Sequence, residues 1–420
     1  MLTFALSLSL LILAGACLQA IPTLRVIRSI SGKDRHHAPL TDPECPKTAV
    51  LLSLRGADPF LEECLYRLVE QDYPDFEIHI ALDHADDPAN EYVQRLIREK
   101  NPPNLIKRII NKPNSSASMV TFNYAEMIEQ LDATIELVVF VDADAVTWPG
   151  WLRSLVKPLV RDPDIGGTSG NRWYTPHSNS LGSICRSAWN LGSLTQMVLF
   201  EYPWGGSLAL RGDIARDPQL LNRYRTAFNG DTASYEVIVA ANKKYHFNPE
   251  IILLNREKTT FASFCDWMPR QLLNGRLYHP SWAPIQIQAL ASLLVLTVAF
   301  LLNLFNLFLG NWLALGILLS SLVVYWILYF LLVLRLDHAI GQNAKQQGQQ
   351  TGWLTAGKVL RLFLVIPLMQ AVYFWGFLKC LYIRRVCWRG IEYEIHAPYK
   401  IKLLNYHPFQ QEEKLTGCSL

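Results

Sequence analysis

One long uncharged stretch limits most strongly what this chain can fold into. No Asp, Glu, Lys or Arg occurs between Arg276 and Arg335. A membrane-spanning helix needs about 20 apolar residues. The stretch therefore has room for two spans, over residues 285–309 and 312–334, with a tight turn at Gly310-Asn311. A buried helix pair in a soluble protein could not easily hide so long an uncharged run, which predicts a membrane protein.

The N-terminus carries a second apolar segment. Residues 2–24 contain no Asp, Glu, Lys or Arg, and a basic cluster follows at once, formed by Arg25, Arg28, Lys33 and Arg35. Secretory signals carry their positive charge before the apolar run, so we expect an uncleaved membrane anchor. A cleaved signal or lipoprotein signal is the alternative, since small residues stand at Ala14-Gly15-Ala16-Cys17.

A third apolar region, residues 362–378, is shorter and contains Pro367 and Gln370. Basic residues mark the cytoplasmic side of membrane segments, and this places residues 36–280 in the cytosol. The tail is also basic, with Lys379, Arg384, Arg385 and Arg389. A full crossing by the third region would carry that tail outside, so we expect a broken, re-entrant or interfacial segment there.

Composition excludes several classes of protein. Half of the residues are hydrophobic and 18% are charged, below the roughly 25% that is typical of soluble proteins. A disordered, collagen-like or disulfide-stapled secreted chain is therefore excluded. The formal net charge of +3 is too small to suggest nucleic acid as the main partner.

The block between the membrane segments alternates between strand-like and helix-like segments. Apolar runs typical of strands lie at 48–54, 76–82, 105–110 and 137–141, and segments with helical spacing lie at 60–68, 91–99 and 119–131. This alternation predicts a parallel sheet with flanking helices. Ligands of such sheets bind at the carboxyl ends of the strands. No GxGxxG or Walker A sequence is present, which excludes an ordinary dinucleotide or P-loop site.

Acidic residues stand at two of these strand ends. Asp142 and Asp144 follow the fourth strand, and Mg²⁺ or Mn²⁺ prefers such oxygen ligands and bridges protein to substrate phosphates. Acidic residues also commonly cap a following helix, which is the alternative. Asp83 follows the second strand, where it can accept hydrogen bonds from a base N–H or a ribose hydroxyl, or simply belong to a turn.

Three further motifs are candidates for a site. Gly205-Gly206-Ser207 lets the backbone approach a ligand closely, or else forms a bend before a strand. Asp231 is a lone carboxylate after Asn229-Gly230 and is a plausible general base. The segment 270–276, just before the first C-terminal span, carries cations that can hold a diphosphate at the membrane surface. Ordinary juxtamembrane basic residues are the alternative.

The order of these motifs resembles that of the family 2 glycosyltransferases with a GT-A fold, and within them the ceramide glucosyltransferase-like group. Supporting sequences are Asp72-Tyr73-Pro74, Asp86-Asp87-Pro88-Ala89 and Trp388-Arg389-Gly390-Ile391-Glu392-Tyr393. The resemblance covers residues 46–282 and the tail near 388–393. It implies an inverting transfer of a sugar from a nucleotide-diphosphate sugar, with UDP expected, to a hydroxyl of a lipid or membrane-associated acceptor.

The resemblance also implies residue roles. Asp231 is expected to be the catalytic base and Asp83 to bind the nucleotide base. Asp142 and Asp144 are expected to hold the diphosphate, with Mg²⁺ or Mn²⁺ bound by Asp144 together with Asp142. The remaining expectations are a sugar–acceptor cleft lined by Gly205, Gly206 and Ser207, and a Q/RxxRW-like element represented by Arg270, Gln271 and Arg276.

Two positions depart from the pattern of that family. In the motif of the family, an Arg-Trp pair stands three residues after a Gln or Arg. Here Gln271 is followed by Leu-Leu-Asn-Gly-Arg276, so that pair is absent at this position. Thr121 stands where many relatives have a Lys. Which residue meets the diphosphate is therefore open. Three other functions also stay open: a processive polysaccharide synthase, a haloacid-dehalogenase-like phosphatase with Asp142 as nucleophile, and a non-catalytic membrane scaffold.

The expected architecture is an α/β, GT-A (Rossmann-like) nucleotide-sugar domain between an N-terminal anchor and a C-terminal transmembrane helical block, with the catalytic domain in the cytosol. The expected boundaries are an anchor at 1–25, a linker at 26–45, the GT-A domain at 46–282, two transmembrane helices at 283–336, a polar linker at 337–358, a third membrane or re-entrant segment at 359–384 and a cytosolic tail at 385–420.

Overall fold

A seven-stranded sheet forms the centre of the protein in a computed structural model that describes residues 1–32, 38–110 and 114–409. Its strands are β1 Thr48–Leu54, β2 Phe76–Leu82, β3 Leu105–Ile109, β4 Leu137–Val141, β5 Ile165–Tyr174, β6 Ser207–Arg211 and β7 Lys244–Asn255. Their spatial order is β3-β2-β1-β4-β6-β5-β7. Lys33 and Arg35 of the predicted basic cluster lie outside the described residues.

The helices follow the strands in the alternation that the sequence predicts. They are α1 Leu2–Ile30, α2 Leu61–Val69, α3 Pro88–Lys100, α4 Met119–Glu129, α5 Trp151–Arg161, α6 Leu181–Leu199, α7 Gly212–Ala215, α8 Pro218–Tyr224, α9 Asp231–Ala240, α10 Phe261–Tyr278, α11 Trp282–Phe308, α12 Trp312–Gln346 and α13 Ala356–Tyr382. Strands β1 to β4 pair in parallel, whereas β6 runs antiparallel to both β4 and β5. The predicted parallel-dominated α/β fold is confirmed.

The central strands are buried because helices cover both faces of the sheet. Every residue of β4 is buried, as are all residues of β1 except Ser53. Helices α2, α3 and α5 pack on one face, and α4, α8 and α9 on the other. Parallel strands buried in this way read as continuous apolar runs. Their carboxyl ends meet at one edge, where the loops after β1, β2 and β4 lie side by side.

Four helices within the described residues are long and apolar enough to cross a membrane: α1, α11, α12 and α13. The turn predicted at Gly310-Asn311 lies between α11 and α12, and Gly310 takes a φ of 71°. The last turns of α12 pack against the α/β block formed by residues 46–282, where the indole N–H of Trp173 on β5 donates to Asp337 at 2.8 Å. The long apolar helices mark a membrane protein.

Helix α13 differs from the sequence-based expectation of a broken segment. It continues through Pro367 without interruption, so the expected break is wrong. Both of its ends contact the α/β block. At its start Lys358 Nζ donates to the carbonyl oxygen of Pro176 at 2.8 Å, and at its end Arg276 of α10 donates to the carbonyl oxygen of Cys380. Between these ends α13 packs along α6 and α10.

The tail folds into a second, three-stranded antiparallel sheet of β8 Arg385–Trp388, β9 Ile391–Ala397 and β10 Lys400–Asn405. Strands β8 and β9 are joined by Arg389-Gly390, both with positive φ, as two-residue hairpin turns require. This three-stranded sheet packs on the α/β block. The amide of Met119 at the start of α4 donates to the Tyr393 hydroxyl at 3.3 Å, and the amide of Leu403 donates to the carbonyl oxygen of Ser115 at 2.8 Å.

Two leucines of α13 test how this helix is docked. Leu362 is 1% exposed and Leu364 is 57% exposed. We expect Leu362→Ala to reduce the free energy of unfolding by about 2–5 kcal/mol, because it leaves a cavity in the core. The matched change Leu364→Ala removes no buried contact. Thermal unfolding of the purified protein in detergent measures both, and equal losses of stability would contradict the docked orientation.

Candidate active site

The loops at the carboxyl edge of the sheet bring Asp231 and Asp142 to the same cleft. Asp231 begins α9, and its Oδ2 accepts a hydrogen bond from the amide of Gly205 at 2.9 Å. A Cβ placed on Gly206 would lie 2.7 Å from Asp142 Oδ2 and 2.2 Å from the ring of Trp204. At Gly206 there is therefore room for the backbone beside Asp142 but not for a side chain. The predicted approach of these glycines to a ligand stays a prediction.

The guanidinium of Arg172 on β5 pairs with both Asp142 and Asp144. Arg172 Nη2 donates to Asp142 Oδ2 and to Asp144 Oδ1, each at 2.9 Å, and Asn255 at the end of β7 donates to Asp144 Oδ2 at 2.9 Å. Burial raises the pKa of Asp142 to about 6; Arg172 opposes this shift, while Asp144 and Asp231 add to it. The sequence analysis missed Arg172 and Asn255, because neither belongs to a recognisable motif.

The paired carboxylates fit a divalent cation that completes its shell with substrate. No group of three or more His, Cys, Asp or Glu side chains able to hold a metal occurs among the residues described. Mg²⁺ at phosphate sites is typically held by one or two carboxylates, with the remaining ligands from phosphates and water. Asp142 and Asp144 supply such a pair of carboxylates, and Asp142 is partly exposed to the cleft.

Asp231 has the surroundings of a general base. Its Oδ1 accepts a hydrogen bond from the amide of Thr232 at 2.7 Å. Burial raises its pKa, while the hydrogen bonds from Gly205 and Thr232 oppose the shift. A carboxylate with a raised pKa takes up a proton more readily near neutral pH. The carboxylate also lines a cavity, so a reacting hydroxyl can reach it.

This cavity has a volume of about 150 Å³ and extends from Asp231 to the first turns of α11. Arg172 and Trp204 line it beside Asp231, and Trp282 and Ile285 of α11 line it as well. Aromatic side chains form much of its wall, namely Tyr174, Trp189, Tyr202, Trp204, Trp267 and Trp282. The cavity thus joins the acidic cleft to the block of apolar helices. Gln271 of α10 lies in the same wall.

Asp83 lies at the end of β2 and is 1% exposed. Its Oδ2 accepts hydrogen bonds from the Arg55 guanidinium, at the end of β1, and from the Tyr406 hydroxyl at 3.2 Å. Its Oδ1 has no hydrogen-bond partner among the described residues, and the same holds for Oδ1 of Asn123. Asp83 and Asn123 line a small cavity together with Trp388. Two buried acceptors without donors indicate a place for a ligand N–H or O–H.

Ser207 and Arg276 differ from their expected placement at the cleft. Ser207 is completely buried, and its Oγ accepts a hydrogen bond from the indole of Trp151 at 2.9 Å, so its side chain belongs to the core. The guanidinium of Arg276 donates to the carbonyl oxygens of Cys380 and Ile383, which ties α10 to the end of α13. Neither side chain reaches Asp142.

Arg270 stands near the cleft, in contrast to Arg276. Its guanidinium lies 5.9 Å from the ring centre of Trp388. Burial, together with the nearby positive charges of Arg389 and Arg172, lowers the pKa of Arg270 to about 10, whereas Tyr174 and Glu257 oppose the shift. The beginning of the predicted basic element therefore lies close to Trp388 of the C-terminal hairpin.

Comparison with protein families gives a match over nearly the whole chain. Residues 7–401 match the family described as Glycosyl transferase family 21. A comparison with curated proteins gave no match.

A comparison with solved structures gave matches of low sequence identity. The mannosyltransferase PcManGT from Pyrobaculum calidifontis, in complex with GDP-Man and Mn²⁺, is 16% identical and has a TM-score of 0.49; the match covers 90% of this chain and 98% of that one. Glucosyl-3-phosphoglycerate synthase from Mycobacterium tuberculosis, in complex with Mn²⁺ and UDP, is 13% identical and has a TM-score of 0.36; the match covers 53% and 79% of the two chains.

If Asp142 binds a divalent cation, its raised pKa makes the metal affinity depend on pH. Because a protonated carboxyl does not ligate a cation, Mn²⁺ binding should weaken below pH 6, approaching tenfold per pH unit. Titration of the purified protein with Mn²⁺, with free Mn²⁺ measured by electron paramagnetic resonance, checks this. Asp142→Asn should weaken binding at pH 7 and remove the dependence. An affinity for Mn²⁺ that is constant from pH 7 to pH 5 would exclude Asp142 as a ligand.

Proposed function

The chain belongs to glycosyl transferase family 21, and we propose that it is a membrane-bound inverting enzyme that transfers a sugar from a UDP-linked donor to a hydroxyl group of a membrane lipid. The observation that carries this proposal is the aromatic cavity between Asp231 and the first turns of α11. A glycosyltransferase with a soluble acceptor has no need for a base that opens toward apolar helices.

Family membership also decides which of the alternative functions left open by the sequence analysis can be kept. The chain is a glycosyltransferase, so the phosphatase and scaffold hypotheses are wrong. Three strands precede β4 in the same sheet, whereas the nucleophile of a haloacid-dehalogenase-like phosphatase follows the first strand of its domain. A processive polysaccharide synthase is less favoured, because four long apolar helices among the described residues leave little material for a polymer channel.

The donor side of the proposed site begins at Asp83. The free acceptor atoms of Asp83 and Asn123 fit the N–H of a uracil ring or a ribose hydroxyl, both of which are donors. Asp142 and Asp144 lie at the end of β4, two strands from β2 in the sheet. A nucleotide held at β2 can therefore extend its diphosphate toward the paired carboxylates. A divalent cation bound there would neutralise negative charge on the departing diphosphate.

The transfer requires a proton acceptor on the acceptor side of the sugar. The oxygen of the acceptor hydroxyl forms a bond to the anomeric carbon while the bond from that carbon to the diphosphate breaks. The hydroxyl proton passes to the carboxylate of Asp231, which the amides of Gly205 and Thr232 hold in position. Arg172 faces the same cleft, and its guanidinium stabilises the negative charge that develops on the leaving group.

The acceptor is proposed to be a lipid because of where the cavity ends. Trp282 and Ile285 lie at the start of α11, whose outer surface carries exposed apolar residues such as Ile287 and Leu294. Trp side chains prefer the membrane–water interface. A lipid whose hydroxyl lies at that interface can enter between aromatic rings. Sphingoid bases, ceramides and diacylglycerols present such a hydroxyl.

The contacts of α13 support a place for this helix in the plane of the interface, while Arg25 and Arg28 after the first apolar segment support a cytosolic location of the α/β block. Both ends of α13 contact the α/β block, and the sheet β8–β10 that follows packs there as well. A helix that crossed the bilayer would carry one end, and that sheet, to the far side. The exposed apolar stripe of α13 includes Leu360, Leu364 and Trp375, which suits a helix lying on lipid.

Radiolabelled sugar transfer tests the proposed function directly. The purified full chain is reconstituted in vesicles containing ceramide or diacylglycerol and given labelled UDP-glucose, UDP-galactose or GDP-mannose with Mn²⁺. We expect label in the lipid extract, identified by mass spectrometry, from at least one UDP-sugar. Label found only in free sugar or in water-soluble polymer would contradict a lipid acceptor.

Replacement of the base separates binding from transfer. Asp231→Asn should lower kcat by about 10²–10⁴-fold, because the hydroxyl proton loses its acceptor, while UDP affinity measured by calorimetry stays within about twofold. Asp164→Asn is the matched control, since Asp164 is an exposed carboxylate that pairs with Lys244. Normal turnover by purified Asp231→Asn would show that another group takes the proton.

A further inference from the structure

The turn of the C-terminal hairpin places a guanidinium at the donor site. Arg389 is the first turn residue between β8 and β9, and its φ is 46°. Its Nη2 donates to Asp58 Oδ1 at 2.7 Å and to Oδ2 at 2.6 Å, and its Nη1 donates to the carbonyl oxygen of Arg55. In return, Arg55 Nε donates to the carbonyl oxygen of Arg389 at 2.8 Å. The turn is therefore fixed to the loop that follows β1.

Arg389 lies within the electrostatic field of the paired carboxylates. Burial tends to lower its pKa, but Asp58, Asp144 and Asp142 together raise it, so the side chain stays charged. The positive charge of Arg389 also acts on Arg270. Cations from β5 and from the C-terminal turn, Arg172 and Arg389, thus act on Asp142 and Asp144, although they are far apart in the sequence.

The guanidinium of Arg389 retains donors for a ligand. An arginine has five N–H donors, and the bonds to Arg55 and Asp58 use at most three of them. Arg389 and its neighbour Trp388 line the same small cavity as Asp83. A ligand bound through Asp83 and extending toward Asp144 would pass this turn.

We propose that Arg389 binds the diphosphate of the donor, as the cation that Arg276 does not supply. This inference rests on the proposed function, because it needs a nucleotide diphosphate at the cleft. A planar guanidinium suits phosphate oxygens through paired hydrogen bonds. Asp58 holds the group in place before the ligand arrives, so little side-chain freedom is lost on binding. The C-terminal hairpin is accordingly a wall of the donor site.

Calorimetry on the full chain in detergent with Mn²⁺ tests this role with two pairs of ligands, UDP with uridine and GDP with guanosine. Arg389→Gln should weaken binding of the preferred diphosphate by about 10–100-fold, the typical loss of a charged hydrogen bond. Binding of the matching nucleoside should not change. Arg389→Lys should restore part of the loss. Arg385→Gln is the matched control, because Arg385 lies on the same hairpin with a side chain that is 69% exposed.

The possible results separate this inference from the proposed function. If the wild-type protein binds UDP and Arg389→Gln binds it equally well, the role of Arg389 is overturned while the proposed function stands. Equal weakening of diphosphate and nucleoside would also overturn it, because Arg389 would then only shape the base cavity. If the wild-type protein binds neither UDP nor GDP, both the inference and the proposed function fail.

Discussion

The close approach of backbone between two carboxylates is the constraint on which the rest of the site depends. Gly205 donates its amide to Asp231, and Gly206 leaves no room for a side chain beside Asp142. Asp231, the proposed proton acceptor, and Asp142, a proposed cation ligand, are thereby held on the two sides of this backbone segment. The sheet provides this arrangement, because β4 and β6 pair antiparallel and place the start of β6 beside the end of β4.

Charge is balanced across the cleft by cations from distant parts of the chain. Arg172 pairs with Asp142 and Asp144, and Arg389 pairs with Asp58. Buried charges are costly unless they are paired, so each carboxylate needs such a partner before any ligand is present. The same guanidinium groups are the ones proposed to bind the anionic part of the donor. The C-terminal hairpin, which closes one side of the cleft, thus links folding of the tail to formation of the site.

Much of this architecture could be predicted from sequence, because the strands are apolar and end on acidic residues. Asp83, Asp142 and the uncharged run after Arg276 are local signals. Arg172 and Arg389 were not recognised as partners of these carboxylates, since contacts across such sequence distances leave no local pattern. The sheet of the tail does leave a local pattern in the sequence. Ile391, Tyr393 and Ile395 are buried at every second position of β9, which is the period of a strand. Arg276 has the expected residue type, but its geometry could not be read from sequence.

The central claim is that one cleft holds the base and the leaving diphosphate on opposite sides of the sugar. Proton NMR of the first product, compared with the donor, tests it most directly. The account predicts inversion, so that an α-linked donor gives a β-linked glycolipid, because Asp231 directs the acceptor to the face opposite the diphosphate. A product with the anomeric configuration of the donor would contradict it.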